Sequence, residues 1–311
     1  MPTPTAFFQG KFVPLEEAVI PVTTHAFMYG TAVFEGIRGN WNSDAEELYL
    51  FRLRDHIARL RQNAKILRMG ITYSDDELLE IVTELARRSD YHEDVYLRPI
   101  VYKSESVIGP RVHNVKEDIL FFEIPLGAYI DSDAGITACV SSWRRVDDNM
   151  IPARAKVNGL YVNNSLAKTE AQLNGFDEAI LLNQDGHVSE GSGENIVMIR
   201  RGKLITPPPA DNVLEGITLE TVVEVAKDLG YEYEARTIDR TELYIADELF
   251  MTGTAAHVTP VLSVDHVPVG DGKPGPITTQ LQRTYFDAIT GRVPRFGDWL
   301  TPVYKGAAVR A

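Results

Sequence analysis

Residues 178–208 are "EAILLNQDGHVSEGSGENIVMIRRGKLITPP", a series of short apolar segments separated by turn-forming residues. The dipeptides Asp185-Gly186 and Arg201-Gly202 are typical of tight turns, so this stretch predicts β-strands joined by turns. The segment at 216–230, "GITLETVVEVAKDLG", carries apolar residues at helical spacing and predicts an amphipathic helix. Strands and a helix so close together indicate a mixed fold of the α/β or α+β class.

The same mixture of strands and helices extends in both directions along the chain. Residues 7–17, "FFQGKFVPLEE", predict a hairpin that turns at Gln9-Gly10. A helix over 74–90 is predicted to begin with a capping box formed by Ser74 and Glu77. Other predicted strands cover residues 48–51, 95–103, 119–127 and 136–144, and other predicted helices cover residues 55–70, about 161–174, and 276–291.

A polar segment of small residues, "AYIDSDAG" at 128–135, is the predicted linker between two domains. It leaves an N-terminal α/β domain at 1–127 and a C-terminal domain at 136–311. A chain of 311 residues is long enough for two domains of ordinary size. We therefore expect a two-domain α/β (α+β) protein with mixed sheets and flanking helices.

The composition excludes several classes of partner. Asp and Glu outnumber Lys and Arg by 44 to 31, and the net charge is −13. A surface of that sign repels phosphate backbones and anionic lipids, so we expect neither nucleic acid nor membrane as a partner. The sequence has no secretory signal and no apolar run of membrane-spanning length, which favours a soluble cytoplasmic protein. Cys139 is the only cysteine, so we expect it to be a small buried residue in a strand.

Common catalytic motifs are missing from the sequence. There is no G-x-x-x-x-G-K-[ST], no H-E-x-x-H, no C-x-x-C and no G-x-S-x-G, and the seven His lack the spacing of metal ligands, so no metal site is predicted. The segment 151–164, "IPARAKVNGLYVNN", holds one lysine, Lys156, among small, apolar and amide side chains. Taken alone, such a lysine is more often an exposed charge than a catalytic amine.

Seven segments, taken in their order along the chain, change that interpretation. They are "HAFMYGTAVFEGIRG" (25–39), "FRLRDHIARL" (51–60), "VYLRPIVY" (95–102), "IPARAKVNGLY" (151–161), "SEGSGENI" (189–196), "VLEGITLE" (213–220) and "FMTGTAAHVTPV" (250–261). With these segments the chain resembles branched-chain amino-acid aminotransferases over about residues 7 to 300. The resemblance implies fold type IV and dependence on pyridoxal 5′-phosphate.

The resemblance implies a role for each residue that corresponds to the family's cofactor site. Lys156 corresponds to the lysine that binds the cofactor covalently and transfers the proton during catalysis. Glu190, rather than Glu194, corresponds to the carboxylate that faces the pyridine nitrogen. Tyr161 corresponds to the phenol that binds the 3′-oxygen. The implied phosphate-binding residues are Arg59, Gly216, Ile217, Thr218 and Thr254, since a helix start and cationic or hydroxyl donors suit an anion.

The substrate residues follow from the same resemblance. Arg98 corresponds to the residue that reaches the second carboxylate of glutamate, and Tyr96 lies two positions before it on the same face of a strand. The implied walls of the substrate pocket are Tyr29, Phe34 and Tyr129. The implied site for the substrate α-carboxylate is the segment Thr254, Ala255 and Ala256.

The expected reaction transfers the amino group of L-leucine, L-isoleucine or L-valine to 2-oxoglutarate, in a homodimer or higher homo-oligomer. Two departures from the family leave the substrate range open. Leu126 replaces a tryptophan that many members have, and the loop 104–114 contains Arg111 and His113 where a small apolar turn is expected. The alternatives are an (R)-amine or D-amino-acid transaminase, an aminodeoxychorismate lyase, or a binding protein that has lost activity. The last is disfavoured because Lys156, Glu190 and Arg59 are all present.

Overall fold

The computed structural model describes residues 4–127 and 134–305, and these divide by their internal contacts into two compact units. Unit 1 contains residues 4–127, 155–159 and 287–305 of the described chain, and unit 2 contains residues 134–154 and 160–286. The sequence placed everything after residue 135 in the C-terminal domain, whereas 155–159 and 287–305 group with unit 1. Long-range pairing explains the difference, since Val157 forms a β-bridge with Val33 and residues 300–302 pair with residues 49–51.

The described residues contain the following strands and helices. The strands are β1 (Thr5–Phe8), β2 (Lys11–Pro14), β3 (Ala32–Phe34), β4 (Ile37–Asn42), β5 (Glu47–Phe51), β6 (Val95–Lys103), β7 (Glu117–Pro125), β8 (Ile136–Arg144), β9 (Glu178–Leu182), β10 (Val188–Gly191), β11 (Asn195–Arg200), β12 (Lys203–Thr206), β13 (Tyr233–Ala235), β14 (Glu248–Gly253), β15 (His257–Val264), β16 (Val267–Pro268) and β17 (Leu300–Pro302). The α-helices are α1 (His25–Tyr29), α2 (Leu53–Ile66), α3 (Asp75–Ser89), α4 (Tyr161–Leu173), α5 (Ile217–Asp228) and α6 (Pro276–Ile289).

Unit 1 is built on an eight-stranded sheet whose pairings are antiparallel. Its order is β17-β5-β4-β6-β7-β1-β2, and β3 pairs with β6. The predicted hairpin is confirmed as β1–β2, with Gln9 and Gly10 both at positive φ in its turn. The capping box of α3 is also confirmed, because the Ser74 side chain accepts from the Glu77 N–H and the Glu77 side chain accepts from the Ser74 N–H.

Unit 2 is built on a nine-stranded mixed sheet. Its order is β10-β9-β8-β15-β14-β11-β12-β13, with β16 beside β15, and the β8–β9, β8–β15 and β12–β13 pairs are parallel. The turn at Arg201-Gly202 joins β11 to β12, as the sequence predicted, with positive φ at both residues. Cys139 lies on β8 and is buried in a cluster with Ala167 and Ala171 of α4, which confirms its predicted role as a small apolar residue.

Helix α5 has the predicted position and amphipathic character. Its buried face includes Ile217, Val222, Val225 and Ala226, whereas Glu224 on the other face is exposed. Within residues 4–127 and 134–305, no helix combines the length and the apolar character that crossing a bilayer requires.

Candidate functional site

In unit 1, the backbone around Lys156 is held against β3. The Phe34 N–H donates to the Lys156 carbonyl at 3.0 Å, and the Gly159 N–H donates to the Gly30 carbonyl at 3.2 Å. The approach is so close that a Cβ on Gly30 would lie 2.8 Å from the Gly159 Cα. The half-buried Lys156 side chain places Nζ 5.1 Å from the centroid of the Phe34 ring. A lysine attached to a backbone fixed in this way has a defined starting position for its amine.

The predicted phosphate residue Arg59 lies on α2 and forms a two-point ion pair with Glu35. Its Nε donates to Glu35 Oε1 at 2.7 Å and its Nη2 donates to Oε2 at 2.8 Å. His56 Nδ1 lies 2.8 Å from Oε2 of the same carboxylate, which is fully buried. Burial alone would raise the pKa of Glu35, but Arg59 and His56 outweigh it and hold that pKa at about 2. The charged carboxylate therefore orients the guanidinium.

Three predicted substrate residues come together in unit 1. The Arg98 guanidinium carbon lies 4.3 Å from the centroid of the Phe34 ring and 5.1 Å from that of the Tyr96 ring. Arg98 also donates from Nε and Nη2 to the Tyr96 hydroxyl at 3.1 Å and 2.9 Å. A Cβ on Gly36 would lie 2.3 Å from that hydroxyl. The cluster therefore places apolar ring surface beside a guanidinium whose orientation is fixed.

Tyr29 is partly exposed at the end of α1, where it contacts the loop 104–114. The Gly109 N–H donates to the Tyr29 hydroxyl at 3.0 Å, and the Gly109 carbonyl lies 2.9 Å from His25 Nε2. Both backbone groups of Gly109 are therefore held by side chains of α1. Arg111 in this loop is exposed. Of the other two expected positions, Leu126 is half-buried, and Tyr129 lies outside the described residues.

In unit 2, Glu190 is the penultimate residue of β10 and belongs to a buried ion pair that the sequence analysis missed. Arg145 Nη2 lies 2.6 Å from Glu190 Oε1, and the two side chains are 2% and 6% exposed. Glu190 Oε2 accepts from Asn195 Nδ2 at 3.1 Å and from the Leu214 N–H at 2.8 Å. These donors favour the carboxylate form. A buried anion of this kind suits a cationic ring nitrogen.

Arg145 is itself held by further acceptors. Its Nη1 donates to Asn164 Oδ1 at 2.9 Å and its Nε donates to the Asn212 carbonyl at 3.1 Å. The sequence offered only a weak signal for this residue, a charged pair at the end of a predicted strand. The first member of the pair, Arg144, is exposed, so sequence position alone does not distinguish the two.

The start of α5 has the properties of an anion site. Gly216 is its N-cap and no side chain caps the first turn, so its backbone N–H groups are not occupied by a capping side chain. A Cβ on Gly216 would lie 1.9 Å from Asn195 Oδ1, so the close packing there requires glycine. Ile217 and Thr218 follow as the first helical residues, both buried.

The remaining predicted residues of unit 2 lie at two positions. Thr254, Ala255 and Ala256 form the turn between β14 and β15, where Thr254 and Ala255 are half-buried. The Thr259 hydroxyl donates to the Ala256 carbonyl at 2.6 Å and fixes this turn. Tyr161 is the first residue of α4 and is half-buried.

Comparison with known proteins places these features in a family. The model of the family "Amino-transferase class IV" matches residues 32–264. A probable branched-chain-amino-acid aminotransferase of Aquifex aeolicus is 52% identical, over 96% of each chain. The branched-chain-amino-acid aminotransferase of Escherichia coli (strain K12) is 39% identical, also over 96% of each chain.

Solved structures extend the similarity to the fold. The crystal structure of a branched-chain aminotransferase from the archaeon Thermoproteus uzoniensis with norvaline superposes with a TM-score of 0.93 at 44% identity, covering 97% of this chain and 100% of the other. The branched-chain amino acid aminotransferase from Thermobaculum terrenum in its PLP form superposes with a TM-score of 0.93 at 40% identity, covering 97% and 99%.

Proposed function

The chain belongs to the branched-chain aminotransferases of amino-transferase class IV, and we propose that it transfers the amino group of L-leucine, L-isoleucine or L-valine to 2-oxoglutarate. The observation that carries this substrate assignment is the Phe34–Tyr96–Arg98 cluster. Its rings offer apolar surface to a branched side chain, and its guanidinium offers two parallel donors to the second carboxylate of glutamate. One pocket that alternates between these two substrates needs both properties.

Fold-type IV aminotransferases use pyridoxal 5′-phosphate, and in unit 2 the buried carboxylate of Glu190 and the uncapped start of α5 fit that group. When bound, the cofactor supplies a reactive aldehyde and an electron-withdrawing ring. In unit 2 we assign Glu190 to the ring nitrogen, because Arg145 and Asn195 hold its carboxylate in the charged form. We assign the start of α5 to the phosphate. The further assignments to the phosphate are Thr254 and, in unit 1, Arg59, and Tyr161 is assigned to the 3′-oxygen.

Lys156 is the residue that we assign to proton transfer. Its Nζ would accept the α-proton of the amino acid and later return it, so it has to act as a neutral amine for part of each cycle. The fixed backbone beside β3 keeps Nζ near the Phe34 ring, where a branched side chain is also expected. The turn Thr254–Ala256 is the proposed site for the α-carboxylate, which would fix the orientation of the bound amino acid.

Two experiments on the holoenzyme test this proposal. The first measures glutamate formation from 2-oxoglutarate with L-leucine, D-leucine and (R)-1-phenylethylamine as separate amino donors. We expect turnover with L-leucine, and turnover with only D-leucine or only the (R)-amine would reject the branched-chain assignment. The second replaces Lys156 with Ala, and we expect kcat to fall by at least about 10³-fold while cofactor is retained. Lys227→Ala, on the surface of α5, is the control for loss of a lysine.

A further inference from the structure

A second glutamate four residues after Glu190 is buried without a role in the proposed reaction. Glu194 lies in the turn between β10 and β11 and is 7% exposed. Its Oε2 accepts from the Gly193 N–H at 3.0 Å. Glu178 at the start of β9, a fully buried carboxyl group, is hydrogen-bonded to it. Two buried carboxyl groups that are hydrogen-bonded to each other cannot both be ionised at low cost.

Among the described residues, the cation that acts on Glu194 is Lys168, whose single charge balances one carboxylate. From α4, Lys168 Nζ donates to Glu178 Oε2 and to the Asp177 carbonyl at 2.7 Å. That ammonium balances the charge of Glu178. Burial, and next the negative charge of Glu178, raise the pKa of Glu194 to about 8, against the smaller lowering effects of Lys168 and the Gly193 N–H. Glu194 therefore holds a proton at neutral pH, and its O–H can donate to Glu178.

The location of Glu194 connects it to two segments of the proposed site. Its own carbonyl accepts from the Gly191 N–H at 2.7 Å, directly after Glu190. On the other side lies Gly253, where an added Cβ would be 3.4 Å from the Glu194 Cγ and from the Gly193 carbonyl oxygen. Gly253 immediately precedes the turn Thr254–Ala256. The turn 191–194 is thus packed between the end of the Glu190 strand and the proposed carboxylate site.

We propose that Glu194 is a positioning residue whose carboxylic acid, hydrogen-bonded to Glu178, holds the turn 191–194 against Gly253 and thereby keeps Glu190 and Thr254 in place. Loss of the proton puts two negative charges beside one ammonium, and their repulsion loosens the turn. The alkaline limit of activity is then set by a group that does not touch the substrate. The kinetic consequence depends on the proposed function, whereas the protonation of Glu194 depends only on its buried contacts with Glu178 and Lys168.

The kinetic test compares the wild-type holoenzyme with Glu194→Gln between about pH 7 and pH 10. Glutamine keeps the size and a hydrogen-bond donor but cannot ionise. We expect wild-type kcat/KM for L-leucine to fall about tenfold per pH unit above about pH 8, and this fall to move up by at least about one pH unit in Glu194→Gln. The matched control is Glu224→Gln on the exposed face of α5, which should keep the wild-type profile. A profile of Glu194→Gln that coincides with the wild type would refute the proposal.

An infrared titration tests the proton without any activity. A carbonyl-stretch band of a protonated carboxyl group should disappear as the pH rises through about 8 in the wild type and in Glu224→Gln, and this band should be missing in Glu194→Gln. The buried carboxyl group of Glu123, which loses its proton at about pH 7, should give the same signal in all three proteins. If the band assigned to Glu194 is not found, Glu194 is ionised and the proposal is wrong. If that band is found but the protein does not use L-leucine, the proposed function is wrong, whereas the protonation of Glu194 is confirmed.

Discussion

At the scale of single residues, the role proposed for Glu190 beside a cationic ring requires that its buried carboxyl group remain ionised. Its charge is maintained by Arg145, Asn195 and one backbone N–H, of which Arg145 is the only full positive charge among these three donors. A buried carboxylate that loses such a partner either protonates or stays ionised at high cost. The behaviour of Glu190 therefore depends on a residue that has no assigned contact with the substrate.

Arg145→Lys is the corresponding variant. Lysine keeps the positive charge but cannot at once reach Glu190, Asn164 and the Asn212 carbonyl, so we expect kcat to fall by about 10²-fold. The pH at which the absorbance of the bound cofactor changes should also be lower than in the wild type. The neighbouring Arg144→Lys is the matched control and should be within about twofold of the wild type. An equal decrease of kcat in both variants would show that Arg145 does not have this role.

The pairs Arg144/Arg145 and Glu190/Glu194 show how far sequence alone could identify the site. Lys156 and Glu190 were named from motifs, because the order of seven segments is specific to one family. Nothing in the residue types distinguishes Arg145 from Arg144, or shows that Glu194 is buried. These differences depend on Asn164, Asn212, Lys168 and Glu178, which approach only when the sheet of unit 2 has formed.

At the scale of elements, strand β7 carries a carboxyl group on its buried face. Glu123 is fully buried, and burial raises its pKa to about 7, an effect that the nearby Ser89 hydroxyl only partly offsets. The folded chain therefore keeps this proton up to about pH 7, whereas the unfolded chain releases it near its ordinary value of 4.5. Stability from this group is complete below pH 4.5 and is lost as the pH rises to about 7.

Glu123→Gln should remove that loss. We expect the variant to be more stable than the wild type at pH 8 by on the order of 1–3 kcal/mol, seen as a melting temperature about 2–6 °C higher, and to differ little at about pH 4.5. Thermal unfolding at both pH values measures this difference in melting temperature. Glu80→Gln on the exposed face of α3 is the control and should not change the pH dependence. A melting temperature of Glu123→Gln below that of the wild type at pH 8 would contradict the assignment.

Elements were predictable where their signals are local. The hairpin β1–β2, the capping box of α3 and the helix α5 depend on residues close together in sequence, and each was predicted. Strands β3 and β4 and the pairing of β17 with β5 were not, because they are defined by partners far away in the chain. The same reason explains why the segment around Lys156 groups with unit 1.

At the scale of the whole molecule, a net charge of −13 is a disadvantage for binding the proposed substrate 2-oxoglutarate, which carries two negative charges. Recognition of the second carboxylate then depends on local cations. Arg98 is oriented by the Phe34 ring and the Tyr96 hydroxyl, whereas Arg111 is an exposed residue of the loop 104–114. A cation held by neighbours loses less conformational entropy on binding than one in an exposed loop.

Arg98→Gln should therefore affect the two proposed oxo-acid substrates to different extents. We expect kcat/KM for 2-oxoglutarate to fall by about 10²-fold, because a charge-assisted pair is lost, while kcat/KM for 4-methyl-2-oxopentanoate changes by less than about threefold. Arg111→Gln is the matched comparison and should leave both values near the wild type. If Arg111→Gln produces the selective loss and Arg98→Gln does not, the loop 104–114 rather than β6 recognises the second carboxylate. In that case the departure of this loop from the family pattern would be the origin of the chain's substrate choice.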